Sequence, residues 1–269
     1  MNLTTHTLVR LNTRDKDIRI RELTFLEYKQ FCKSLYSHDS LSELVNLFDK
    51  IIQQTTDIDF TPNILEKIVL VIFIREITLG KQITLTSNNH STTLTTDFIL
   101  DKINKKVEPK TLDAENVVYT VHLPNSFANT KTTQVSFIQS CITSAIINDN
   151  YNIDLQSLND NEREELLSHL PPIPVTEIYK NIISSYSNFS FTIKLDKEYM
   201  IQLFDGTFIF FLKHIFDQHL QNILSMEYDL RRHLNFNGYD FETTPYPECI
   251  VLLDKYIQET KAQEKQRHD

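Results

Sequence analysis

Two histidines hold one metal from a single helix when they stand four residues apart, because that spacing stacks them on one face. His214 and His219 flank Asp217 in a helical-looking segment, but they stand five apart. On a 3.6-residue turn that step rotates the second ring away by roughly 140°. Asn148, Asn150, Asn152 and Asp154 place oxygen ligands at alternate positions, as a calcium loop does. The sixth place of that loop holds Ile153 instead of the sharp-turn glycine, and the twelfth holds Asn159 instead of glutamate. The segment is read as a polar loop before an acidic helix. In the run Asp160-Asn161-Glu162-Arg163-Glu164-Glu165, paired carboxylates for acid–base work would need one carboxyl in an apolar cleft. At a helix N-terminus the macrodipole stabilises negative charge, which explains the run without catalysis. Cys32, Cys141 and Cys249 are widely spaced, odd in number and without ligand spacing, so they are expected to be reduced, buried and small.

Larger motifs are missing too. There is no phosphate-binding glycine loop, dinucleotide fingerprint, nucleophile elbow or zinc spacing. The chain has only three glycines, Gly80, Gly206 and Gly238, in 269 residues, where average usage would give about 19. A backbone that cradles phosphate needs clustered glycines. No cofactor and no metal are therefore expected, and the chain is read as a non-enzyme. The net charge of −9 disfavours general nucleic-acid binding. The longest apolar run, Ile68 to Ile74, is far short of the ~20 residues of a spanning helix, and no basic-then-apolar leader opens the chain. A content of 41% hydrophobic and 23% charged residues predicts a folded globular protein.

The elements follow from periodicity and caps. Thr7–Leu11 and Ile18–Arg21 alternate as two strands around Asn12-Thr13-Arg14-Asp15. Thr24 with Glu27 and Ser40 with Glu43 are capping boxes, and Leu23 with Tyr28 makes a hydrophobic staple. Thr61-Pro62 opens the core helix, apolar nearly all round, which Gly80 closes. Gln82–Leu85 and Thr93–Leu100 read as a hairpin, residues 101–115 as a loop, and Val117–Leu123 as a strand. Val135–Ile147 has mixed period and is left unassigned. Asn159 and Glu162 cap a short helix ended by Pro171, Pro172 and Pro174. A helix at Val175–Tyr186 and a strand at Phe189–Leu195 follow. The longest helix is expected from Phe208 to Leu234, with Leu224 and Glu227 on its marked face. Thr244-Pro245 opens the last one, with Ile250, Leu253, Tyr256 and Ile257 inward and a polar end that frays. The expected fold is α+β, mostly helical. Residues 1–110 form a helical subdomain with flanking short strands, and 111–269 a small sheet with a long helix and a C-terminal helix packed on it.

Phe204, Phe208, Phe210, Phe211 and Phe216 cluster at the start of that long helix. A stripe at helical spacing is usually core, but Phe208, Phe210 and Phe211 cannot all share one face. Phe210 and Phe211 are the candidate partner surface.

The order of elements in RIRELTFLEYKQFCKSLYSHDS, LVNLFDKIIQQTT and DIDFTPNILEKIVLVIFIREITLGKQITL resembles the baseplate hub assembly proteins of T4-like contractile-tailed phages. NIDLQSLNDNEREELLSHLP and EYDLRRHLNFNGYDFETTPYPECIVLL agree with that outline. The strongest pieces are Arg75 with Leu79-Gly80, and the helix opening at Pro245, Pro247 and Glu248. The resemblance implies an assembly factor or chaperone that binds other tail or baseplate hub proteins, in the host bacterial cytoplasm during assembly. A permanent structural subunit of the tail baseplate is the alternative, and some members act without staying in the particle. A metal-dependent hydrolase is the remote alternative from another class.

Overall fold

The computed structural model describes residues 6–37, 40–88, 90–124, 134–148, 150–155, 157–169, 179–180, 184, 189–202, 207–216 and 220–268. Its secondary structure is α+β and mostly helical, with small antiparallel sheets. Hairpin β1 (His6–Leu11) and β2 (Lys16–Arg21) turns through residues 12–15 as expected. Its alternation buries Val9, Leu11, Ile18 and Ile20 on one face. Helix α1 (Phe25–Ser37) starts where the Thr24 Oγ1 accepts from the Glu27 amide and Glu27 accepts from the Thr24 amide, a reciprocal cap. Helix α2 (Leu41–Thr55) starts at Ser40, whose hydroxyl accepts from the Glu43 amide and donates to the Glu43 carboxylate.

Helix α3 (Ile64–Leu79) is the centre of the core. Ile64, Leu65, Ile68, Val69, Leu70 and Ile72 have essentially no solvent contact. Its cap is Asn63, not Thr61. Asn63 and Glu66 form a capping box, while the Thr61 carbonyl accepts from Arg14. Glu66 is buried, and its second oxygen accepts from Arg14 Nε at 2.7 Å, so the cap carboxylate is charge-paired. Gly80 closes the helix at φ 84° and ψ 179°.

The hairpin β3 (Gln82–Ser87) and β4 (His90–Thr95) forms, but Thr96–Leu100 is not strand. Thr95 accepts from the Phe98 amide and starts helix α4 (Thr96–Ile103), which buries Ile99 and Ile103 one turn apart. The expected loop at 101–115 thus contains the end of α4 and the strand β5 (Lys110–Ala114). Strands β5, β6 (Val117–Val121), β7 (Ile142–Ile147) and β8 (Tyr151–Asp154) form one antiparallel meander in that order. The unassigned stretch resolves into helix α5 (Gln134–Cys141) running straight into β7. Helix α6 (Asp160–His169) has the expected Asn159–Glu162 cap. Pro171, Pro172, Pro174 and most of Val175–Tyr186 lie outside the described residues. Strand β9 (Phe191–Lys194) pairs with an unforeseen strand, β10 (Glu198–Ile201).

The single long helix at 208–234 is corrected to two, α7 (Thr207–Ile215) and α8 (Leu220–Leu234). The carbonyl oxygens of Ile215 and Phe216 accept from the Arg75 and Tyr28 side chains, and the Phe216 amide turns back to the Lys213 carbonyl. Phe216 then packs edge-on to Phe31 at 5.0 Å and lies 6.3 Å from Phe48. Helix α9 (Gly238–Thr243), capped by Asn237, was not foreseen. Helix α10 (Tyr246–His268) starts after Thr244-Pro245 as expected, and its polar end is helical through His268. The Phe25 amide donates to Thr244 O and the Tyr246 amide to Leu23 O, so the openings of α1 and α10 are stitched together.

Lys29 on α1 pairs with Glu227 on α8, which also accepts from Arg231 at 2.9 Å. Burial alone pushes the Glu227 carboxyl up, but those two cations outweigh it and hold it below its ordinary value. Burial acts the same way on Glu27, and the bidentate Arg21 and the Thr24 cap bring it down. A carboxylate with a lowered folded pKa contributes stability above the unfolded value, lost as pH falls through the folded one. Urea midpoints are therefore expected to fall as pH drops below about 4.5. Lys29→Met should shrink that acid-limb slope, as titration of the midpoint from near neutrality downward will show. At Gly80 the backbone lies in a region open almost only to glycine, yet a Cβ there would meet nothing within 4 Å. Gly80→Ala is thus expected to cost about 1–3 kcal/mol by strain alone, measured by chemical denaturation.

Candidate interaction surface

The residues singled out for metal chemistry do not converge. His214 is exposed on α7, and Asp217 and His219 lie outside the described residues. Asn148 sits in the β7–β8 turn at φ 49°, accepting from Asn116 Nδ2, while Asn152 and Asp154 lie on strand β8. Their alternation is therefore strand period. Glu162 is spent on the α6 cap. Among the described residues no three His, Cys, Asp or Glu side chains could hold a metal ion, and no helix is long and apolar enough to cross a membrane. Cys32, Cys141 and Cys249 are buried thiols that form no disulfide. Burial pushes the Cys141 and Cys249 thiols up to about 12, so neither is a thiolate nucleophile near neutrality.

The phenylalanines separate by face. Phe208, Phe211, Leu212 and Ile215 follow i, i+3, i+4, i+7 and are buried. Phe208 and Phe211 stand edge-on to Phe191 of β9 at 5.5 and 5.3 Å. Phe210 and His214, four apart, occupy the opposite face, and Phe210 is 44% exposed. Of the two candidate surface residues, only Phe210 is at the surface, since Phe211 is 4% exposed and part of the core. Phe204 lies outside the described residues.

Helix α8 adds a surface stripe, and Leu224, expected on the marked face, belongs to it. Leu224 is 43% and Tyr228 57% exposed, and Arg232 lies one turn on. Arg232 donates to the Tyr228 hydroxyl at 2.8 Å with its guanidinium 5.7 Å from that ring. The buried residues of α8 are Ile223 and Leu230, which sit on a different face from Leu224 and Tyr228. Counting four-residue steps from Leu224 reaches Tyr228 and Arg232 and would have found the stripe.

These surfaces are held by polar groups underneath. Arg75 is 5% exposed, and among the described residues no carboxylate pairs with it. Its guanidinium donates to the carbonyls of Gly80, of Gln82 at 2.6 Å and of Ile215 at 3.4 Å. Burial lowers its pKa, while Tyr28 and Glu76 act in the opposite direction. Tyr28, fully buried, donates to Phe216 O at 3.1 Å. The arrangement is a seat that fastens the end of α7, the helix that presents Phe210 outward.

A family model described as T4 bacteriophage base plate protein matches residues 3–204. No curated protein and no solved structure matches the chain. The seat spans the boundary of the match, since Arg75 and Tyr28 lie inside it while Ile215 and Phe216 lie beyond.

Removing the guanidinium leaves three carbonyls without their donor. A buried group that loses its partner costs about 1–3 kcal/mol, so Arg75→Met should destabilise by more than about 2 kcal/mol. Arg75→Lys should recover little, because one compact ammonium cannot reach three diverging carbonyls. Urea unfolding of both variants checks this.

Proposed function

The chain belongs to the T4 bacteriophage base plate protein family, and on that premise we propose that it is a hub protein of the tail baseplate. It works by protein–protein binding, as an assembly factor or chaperone for other tail or hub proteins. It carries out no catalysis and needs no cofactor. Its place is the host bacterial cytoplasm while the tail is built. The observation that carries the reading beyond the family is Phe210, a large aromatic held in water on a helix whose other face is locked into the core. Aromatic anchors of this kind supply most of the binding energy at protein interfaces.

The test is capture of partners by the tagged chain during phage infection. Recovery of tail-hub or tape-measure proteins supports the reading, and recovery of host metabolic proteins alone overturns it. Absence from purified particles marks an assembly factor, whereas a fixed copy number there marks a permanent subunit. Phe210→Asp is expected to cut partner recovery at least about tenfold with the melting temperature nearly unchanged. Phe211→Asp puts a charge between Phe191 and Phe208 and should lower the melting temperature strongly. Thermal unfolding of both variants separates surface from core.

A further inference from the structure

Helix α10 runs well past its last fully buried residue, Cys249. Its 23 residues extend about 34 Å at 1.5 Å per residue. Tyr246 and Cys249, in its first turn, are fully buried, but no described residue beyond Ile250 is. Ile250, Leu253 and Tyr256 are half-buried as expected, and the Tyr256 ring stacks on His233 of α8 at 4.8 Å. Ile257, expected inward, is 39% exposed, and Val251 is 64% exposed.

On the outer side Asp254 precedes Ile257 by three residues and Lys261 follows by four. Helical spacing puts all three within about 60° of one another. Asp254 and Lys261 are exposed, and among the described residues neither enters an ion pair. The neighbouring Lys255 and Glu259, in contrast, face each other at 4.0 Å. An acid one turn before an exposed isoleucine and a base one turn after it is a self-complementary order. Set two such helices antiparallel about a twofold axis between Ile257 and Gln258. Asp254 of each copy then lies opposite Lys261 of the other, with the two Ile257 side chains between the pairs. The axial dipoles also oppose favourably in that arrangement. A twofold contact of this kind uses one patch twice and closes on itself.

We propose that α10 joins two copies of this chain, antiparallel, across the face carrying Asp254, Ile257 and Lys261. One helix face buries less than a standard interface, so the contact is a weak and reversible one. Its register is set by charge, because like charges placed opposite one another are penalised more than opposite ones are rewarded.

Sedimentation velocity of the full chain over a concentration series tests this. The wild type should pass from monomer to dimer. Asp254→Lys, which sets lysine against lysine twice, should raise the dissociation constant at least about tenfold, as should Ile257→Asp. The double exchange Asp254→Lys with Lys261→Asp should return it to within about threefold of wild type. All the altered side chains are exposed, and unchanged circular dichroism will show that folding is intact. A chain that stays monomeric at the highest concentration overturns the proposal. A dimer indifferent to these substitutions, or a double exchange no better than the single one, does so as well.

Discussion

A single buried guanidinium organises the middle of this protein. Removing a charge from water is expensive unless hydrogen bonds replace the lost hydration. Arg75 meets that requirement with main-chain carbonyls and no carboxylate among the described residues. Those carbonyls sit just past the end of α3 and at the last residue of α7. The ends of two helices, each carrying partial negative charge, therefore converge on one cation. Placing α7 beside α3 sets where Phe216 enters the Phe31–Phe48 cluster, and so where α8 begins. A planar fork with several donors suits this task, whereas lysine is a point charge on a flexible stem.

The second fastening lies where α1 and α10 open. Thr24 and Pro245 bridge like strand residues, and Phe25, Tyr28, Phe241 and Tyr246 stack beneath the bridge. Between the two fastenings, Lys29 and Glu227 join α1 to α8. Residues beyond 204, outside the family match, thus share the core of the matched segment. The parts of the chain that present exposed aromatic and aliphatic side chains are carried on that shared core.

Features decided locally were legible in the sequence. The β1–β2 hairpin, the Thr24–Glu27 and Asn159–Glu162 caps and the all-round apolar α3 each follow from a few neighbouring residues. Features decided at a distance were not. Asn63 caps α3 in place of Thr61 through a local box with Glu66 that was open to the same reading as Thr24–Glu27, and only its anchor, Arg14, lies 52 residues away. The helix expected through 216 breaks where side chains 188 and 140 residues earlier bind its carbonyls. Thr96 turned helical because Ile99 and Ile103 reach the core together, a benefit invisible to strand alternation. The division of Phe208 and Phe211 from Phe210 was within reach of periodicity. The side of the helix that would face water depended on Phe191, which arrives from another element.

Glycine scarcity did not leave the chain without left-handed backbone. Asp15, Asn88, Glu115, Asn148 and Asn235 all adopt positive φ, and most of them close tight turns. The asparagines and the aspartate among them tolerate that conformation at modest cost. Making a turn and sheltering a ligand are nonetheless different tasks for the same dihedral angle. Several of these side chains are engaged elsewhere in the protein: Asp15 accepts from Arg10, Asn88 donates to Asp196 and Asn148 accepts from Asn116. At these described turns the chain reverses without glycine, and a polar side chain stands where a bare backbone would otherwise be left.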